Sequence, residues 1–165
     1  MQARPLLRVL IGAGLALLLA FAAATGTLAQ GRDITIPKEL NGLPLTHESV
    51  KAAESQVNFR KAAIDKLDMY SVRLSGNLLA ATLEVARFKA GNNTGSLGFQ
   101  EDVARQIGST TAQGLEVSGH LVFLTTARGI DIAIWFRGPY VLILVIRTDY
   151  GHPKDMLRSA VESIT

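Results

Sequence analysis

The sequence predicts an α+β domain in which a single antiparallel sheet of about five or six strands packs against three helices. Three observations support this fold class. Segments from residue 70 onward alternate apolar and polar residues, as strands do. Dipeptides that favour tight turns, such as Gly76-Asn77 and Gly138-Pro139, separate these segments. Three other stretches place apolar residues at helical spacing. Because strands joined by tight turns pair antiparallel, we expect one antiparallel sheet.

The first part of the domain is predicted to be an extended arm followed by a helix. Pro37 and Pro44 exclude a helix across residues 30–46, where Ile34 and Ile36 alternate with polar neighbours. Thr46 is a suitable N-cap for a helix over roughly residues 47–66. The apolar residues at helical spacing that favour this helix are Val50, Ala53, Val57, Ile64 and Leu67.

The remaining predicted elements follow in chain order. They are a hairpin over residues 70–85, a short helix over 99–108, one strand over 115–124, strands over 130–136 and 140–147, and a closing helix over 152–165. Pro153 fits the first turn of the closing helix. A Gly-rich loop, residues 90–98, precedes the short helix but lacks the spacing of a phosphate-binding loop.

The hairpin that contains the single tryptophan has a predicted register. If Gly138-Pro139 is a two-residue turn, Arg137 opposes Tyr140 and Trp135 opposes Leu142. One face of the hairpin is then wholly apolar. The other face is apolar in the middle and polar at its ends, and it carries Trp135, Arg137, Tyr140 and Asp131.

Residues 141–146 are apolar on both faces, so their strand is predicted to be central and covered on both sides. By the order of its elements, the predicted domain is similar to the helix–sheet–helix sandwich of PsbP-type exported domains and of the mycobacterial-type lipoproteins that share it. This is an analogy of element order, because no motif in the chain identifies a family.

The N-terminus has the features of a secretory signal. A basic start with Arg4 and Arg8 precedes an apolar stretch, residues 9–24, and Thr27 and Ala29 provide small residues before a cleavage site. We therefore predict a signal peptide over residues 1–29, an extended arm over 30–46 and a single domain over 47–165. In the alternative interpretation, residues 5–24 are retained as a membrane anchor.

Composition narrows the functional classes. Without Arg4 and Arg8 the chain keeps 15 basic and 14 acidic residues, a net charge of +1, which does not favour nucleic-acid binding. The absence of cysteine excludes disulfides, cysteine nucleophiles and thiolate metal sites. We expect no cofactor and no metal, since the three histidines show no metal-binding spacing.

The mixed face of the tryptophan hairpin is the predicted ligand-binding site. Its residues are Trp135, Arg137 and Tyr140, with His120 and Asp131 near the edge. Such a site would pack an apolar group on the indole and pair an anion with the guanidinium. This hypothesis requires that no helix covers the Trp135 face.

Other arrangements of reactive residues are weaker. Glu84, Asp131 or His120 could act as an acid or a base. Ser118 and His120 would share a strand face and could combine with Asp149, but they lack the context of a nucleophile elbow. Each of these sets is also consistent with ordinary solvated residues.

The sequence thus predicts an exported bacterial domain, located in the cell envelope or secreted, that binds a ligand or a partner without enzymatic activity. The expected partner is a small apolar or anionic ligand, or an envelope protein. One alternative is a cell-envelope hydrolase or transferase that uses Glu84, Asp131 or His120. A second is a membrane-anchored accessory subunit, whose contact with the membrane is made by residues 5–24.

Overall fold

A single antiparallel sheet of eight strands organises the chain. The structure is a computed structural model that describes residues 33–49, 55–108 and 112–165. Its strands are β1 (Glu39–Leu40), β2 (Leu43–Glu48), β3 (Ile64–Arg73), β4 (Leu79–Phe88), β5 (Gln113–Val117), β6 (His120–Ala127), β7 (Ile130–Arg137) and β8 (Tyr140–Arg147). Its helices are α1 (Leu97–Gly108) and α2 (Pro153–Ser163). The strand order is β1-β2-β3-β4-β8-β7-β6-β5.

The predicted fold class of five or six strands with three helices is wrong, because the described residues form eight strands and two α-helices. The predicted helix over residues 47–66 is replaced by the end of β2, a short 3-10 helix at Asn58–Ala63 and the start of β3. Ile64 and Leu67 do become partly buried, but they do so from an irregular strand. Apolar residues are sparse over this stretch, so their spacing alone did not distinguish a helix from a strand. Residues 50–54 lie outside the described ranges.

A second correction concerns residues 115–124, which were predicted as one strand. The chain reverses at Ser118 and Gly119, with φ of +49° and +78°, and forms the hairpin of β5 and β6. Two consecutive residues with positive φ make a turn whose twist suits a two-residue hairpin. This reversal adds one strand to the predicted number. It also moves Ser118 out of a strand, so Ser118 and His120 do not share a strand face.

Several other predicted elements are confirmed. Gly138 has φ of +55°, and the pairing of β7 with β8 has the predicted register, with Arg137 opposite Tyr140 and Trp135 opposite Leu142. Strands β3 and β4 form the predicted hairpin around Gly76. Helices α1 and α2 lie within two residues of their predicted bounds, and Pro153 begins α2.

The sheet has a core on each face, and each core is covered by one helix. On the face that we call the α2 face, Trp135, Leu142 and Leu144 pack with residues of α2 such as Met156 and Val161. On the opposite α1 face, the residues that pack together include Ile134, Val141, Ile143, Val103 and Ala104. Strand β8 is therefore buried on both sides, as its continuous apolar sequence indicates.

The N-terminal arm packs beside the end of the chain. Thr35 N donates a hydrogen bond to Thr165 O over 2.6 Å, and Ile34 and Ile36 pack against the core of the α2 face. The predicted boundary between arm and domain, at residues 46–47, falls inside β2. The predicted signal segment, residues 1–29, lies outside the described ranges. Neither α1 nor α2 is long and apolar enough to cross a membrane.

Candidate functional site

The structure covers the indole that was expected to receive an apolar ligand. Trp135 is 0% exposed beneath α2, and its Nε1 atom has no hydrogen-bond partner among the described residues. Tyr140 is also buried, and its hydroxyl donates a hydrogen bond to Asp33 of the arm over 2.6 Å. The middle of the mixed face is therefore interior. The part of this face that is left partly exposed is its polar end.

At that polar end, the structure brings together Arg137 and His120. Arg137 Nη2 donates hydrogen bonds to the main-chain oxygen of Val161, at 2.5 Å, and to His120 Nε2, at 3.2 Å. Val161 lies in the last turn of α2, so the guanidinium sits at the negative end of the helix dipole. Because arginine has no acceptor atom, His120 Nε2 has to be the acceptor, and its ring is neutral with the proton on Nδ1.

The surroundings shift the pKa values of both groups. Burial lowers the pKa of His120, and the positive charge of Arg137 lowers it further. Burial also lowers the pKa of Arg137, although guanidinium groups stay charged at any pH of interest. The pair therefore consists of a cation and a neutral imidazole near pH 7.

Sequence reasoning did not identify Arg87 and Lys66 as neighbours of this site. Tyr140 pairs with Arg87 on β4, and Arg87 pairs with Lys66 on β3, so one row of polar side chains crosses five strands of the α2 face. We call this the cross-strand row, and its members are His120, Arg137, Tyr140, Arg87 and Lys66. No local sequence signal predicts the row, because it depends on the pairing of β4 with β8 across more than 50 intervening residues.

Most cations in the cross-strand row have a carboxylate partner. Arg87 makes two hydrogen bonds to Asp65, at 2.9 and 3.1 Å, and Lys66 Nζ lies 3.3 Å from Asp68. Asp65 lies where the β3–β4 register shifts, which places it as the extra residue of a β-bulge. The hydrogen bond from Arg87 lowers the pKa of Asp65. In contrast, the described residues place no carboxylate within 4.0 Å of Arg137.

The other predicted site residue, Asp131, is at the opposite end of β7. It accepts a hydrogen bond from Thr126 Oγ1 over 2.5 Å. It lies six positions before Arg137 along the strand, or about 20 Å at the usual rise per residue. It therefore belongs to no common site with Arg137 and His120.

Glu84 differs from its expected solvated state. It is 3% exposed in the centre of the sheet, on the α1 face. Its carboxylate accepts hydrogen bonds from Ser55 Oγ, at 2.5 Å, and from the main-chain nitrogen of Gln56, at 2.9 Å. Ser55 Oγ also accepts a hydrogen bond from Val57 N over 3.1 Å. Glu84 thus anchors the segment before β3 to the sheet.

The acid, base and nucleophile candidates do not converge. Glu84 and His120 lie on opposite faces of the sheet, and Asp131 is far along β7 from His120. Ser118 donates a hydrogen bond to Glu162, whereas Asp149 is paired with Arg147. Within the described ranges, no group of three or more His, Asp or Glu residues could hold a metal ion.

An open apolar cleft lies elsewhere, between α1 and the β5–β6 edge of the sheet. Its volume is about 270 Å³, and its walls include Leu97, which is 55% exposed, and Leu121, which is 40% exposed. Phe123 and Ala104 are buried beneath it, and Arg105 lies on its rim. This cleft was not predicted, because the β5–β6 hairpin that forms one wall was not recognised.

Comparisons with protein-family models, with curated proteins and with solved structures find no match for this chain.

Proposed function

We propose that the chain is an exported, non-enzymatic binding domain that recognises a small anion, a carboxylate or a phosphate, at Arg137. Export is proposed from the basic and apolar N-terminal sequence, and the proposed location is outside the cytoplasmic membrane of a bacterium. A binding role is favoured over catalysis because the titratable candidates are spread over two faces and both ends of the sheet.

One observation carries the choice of ligand. Arg137 is half-buried, yet its hydrogen bonds to the described residues are all made by Nη2, and both acceptors, Val161 O and His120 Nε2, are uncharged. Its Nε atom is buried without an acceptor among the described residues. A partly desolvated guanidinium normally has a charged or hydrogen-bonding partner for each accessible edge.

The contrast with other arginines supports this interpretation. Arg60, Arg87 and Arg147 each form an ion pair with a nearby aspartate. Among the described residues, Arg137 has no carboxylate partner and lies at the partial negative charge of the α2 C-terminus. An oxyanion would supply a charged acceptor to Nη1, which is not among the buried atoms and makes no hydrogen bond to the described residues. His120 Nδ1–H is a further neutral donor of the same pair.

Titration of the exported protein with inorganic phosphate and with citrate tests the proposal. The full chain is expressed with its own N-terminal segment, purified, and titrated at constant ionic strength with chloride as the balancing anion. Trp135, the single tryptophan, lies two residues from Arg137 on the same face, so its fluorescence reports binding. We expect a saturable change for at least one of the two anions and a matching rise in the melting temperature.

Two variants assign the effect to Arg137. Charge-assisted hydrogen bonds contribute about 1.5–3 kcal/mol, so R137Q should weaken anion binding about 10- to 150-fold. The matched control is R147Q, which removes an arginine at the end of the neighbouring strand β8. If R137Q does not fold, R137K retains the charge, and we expect it to weaken binding measurably because it loses the planar donor set. The proposal fails if wild type shows no anion-specific response or if R137Q and R137K bind as wild type does.

A further inference from the structure

The β5 strand is an open edge of the sheet. It pairs with β6 on one side, and none of the described residues pairs with its other side. Strand β5 also contains no lysine and no proline, the residues that commonly protect an edge against pairing. The opposite edge is different, since β1 has two residues and Asn41 N, directly after it, is bound by Ser159 Oγ of α2.

The β5–β6 turn determines which backbone groups are free. Val117 and His120 flank the two-residue turn, and the residues that flank such a turn form a hydrogen-bonded pair. Gln113, Leu115 and Val117 therefore direct their backbone groups toward β6. Gly114 and Glu116 direct theirs away from the sheet, where they are available to another strand.

The cleft beside α1 opens onto this edge at Gly114. A side chain at this position would lie 3.2 Å from Leu121 Cδ1, so glycine leaves the cleft accessible from the edge. Arg105 and Gly114 both line the cleft, as does Glu101. Among the described residues, Arg105 pairs with Glu101 on the same helix, at 3.4 Å, and its side chain is 63% exposed. An exposed guanidinium that can accept a second carboxylate partner therefore lies at the cleft.

We propose that a second copy of this chain pairs with the β5 edge in antiparallel orientation, with the two-fold axis passing between the two Leu115 residues. In this register Gly114 of each copy faces Glu116 of the other, and these are the residues with outward backbone groups. The carboxylate of Glu116 then enters the cleft over Gly114, beside Arg105. The alternative axis at Glu116 would place two carboxylates directly opposite each other and is disfavoured.

The symmetry of this arrangement makes it self-limiting. Each copy offers the same surface and each edge is used once, so the product is a closed dimer rather than a fibre. The two-fold axis is perpendicular to the sheet, which places both α1 helices on the same face. Leu97 and Leu121 of the two copies then line one continuous apolar surface across the joint. The contact is at the small end of specific interfaces, so we expect a concentration-dependent dimer.

Sedimentation velocity of the full chain, expressed with its own N-terminal segment, measures this association from about 1 µM to about 1 mM. We expect a reversible dimer for wild type. Either single charge reversal, E116R or R105E, should weaken dimerisation at least about tenfold, because each places like charges together. The double variant E116R/R105E exchanges the two charges and should restore the dimer.

The control variant is R158E, which reverses an exposed arginine on the outer side of α2 and should dimerise as wild type does. Circular dichroism of each variant verifies that the sheet is intact. A wild type that stays monomeric throughout the range overturns the proposal, and so does a dimer that is insensitive to both single reversals. Anion binding at Arg137 does not depend on β5, so either proposal can fail without the other.

Discussion

His120 Nε2 accepts a hydrogen bond from Arg137 Nη2 at 3.2 Å, which is possible only while the imidazole is neutral. Protonation of His120 would remove this acceptor and place a second positive charge beside the guanidinium. The folded state therefore binds a proton at His120 less readily than the unfolded chain does. The stability of the domain is therefore linked to pH through this side chain.

The pH dependence follows from the lowered pKa of His120. Below the ordinary histidine value of 6.5, the unfolded chain takes up the proton first, so the free energy of unfolding decreases as the pH falls toward the folded-state pKa. We expect this decrease to begin near pH 7 and to be visible above about pH 5, where carboxylates start to titrate. Urea denaturation across this range measures it.

Two glutamine variants isolate the contribution of His120. H120Q removes the titrating ring, so its unfolding free energy should vary less with pH than that of wild type. H152Q replaces a histidine at the start of α2 and keeps the contact of His120 with Arg137, so the decrease should persist in this variant. Equal slopes in H120Q and wild type would contradict the assignment.

The Glu84 anchor predicts a second stability effect. E84Q replaces a buried carboxylate that accepts hydrogen bonds from Ser55 and from the backbone of Gln56. Glutamine keeps one acceptor oxygen and turns the other into a donor that faces Ser55 or Gln56 N, so the free energy of unfolding should fall by about 1–3 kcal/mol. Chemical denaturation at pH 7 gives the value. E39Q, at an exposed glutamate of β1, should change stability by less than about 0.5 kcal/mol. If both variants are equally stable, Glu84 does not hold this segment.

Packing at the end of α1 gives a third prediction. A Cβ atom at Gly108 would lie 2.8 Å from Thr125 Cγ2, closer than such atoms approach in real structures. G108A should therefore destabilise the domain by about 1–3 kcal/mol through overpacking.

The matched control for this effect is in the same helix. At Gly98 the nearest atom to an added Cβ is 3.9 Å away, so G98A meets no obstruction. Because alanine has the higher helix propensity, G98A should leave stability unchanged or raise it by up to about 1 kcal/mol. Thermal and urea unfolding of both variants compare the two positions. A neutral G108A would show that α1 can move away from β6 at little cost.

Sequence patterns predicted some local features of this protein and missed others, among them the strands and 3-10 helix that replace the predicted helix over residues 47–66. The Gly138-Pro139 turn determined the β7–β8 register, because side-chain alternation allows only one facing arrangement once the turn is placed. Helix α2 was predicted from Pro153 and its apolar stripe. The reversal at Ser118-Gly119 was missed although Ser-Gly is a recognised turn signal, because the apolar alternation continues on both sides of it.

Features that depend on distant parts of the chain were not predictable in this way. The mixed face of the tryptophan hairpin was expected to hold a site on Trp135. Helix α2 packs there instead, because the middle of that face is apolar. The neighbours of Arg137 on β4 and β3 follow from strand pairings that no local pattern encodes. The structure does bring Arg137 and His120 into contact, as the sequence suggested, whereas a binding role for them stays a prediction.

The order of strands has a consequence for how the chain reaches its native state. Every neighbouring pair in the sheet is a hairpin between consecutive strands except β4 and β8. Each half of the sheet can thus form from contacts between residues that are close along the chain. The pairing of β4 with β8, in contrast, closes a loop of more than 50 residues. We expect the pairing of β4 with β8 to be the slow step of folding. The two halves of the sheet, β1–β4 and β5–β8, are expected to form before it.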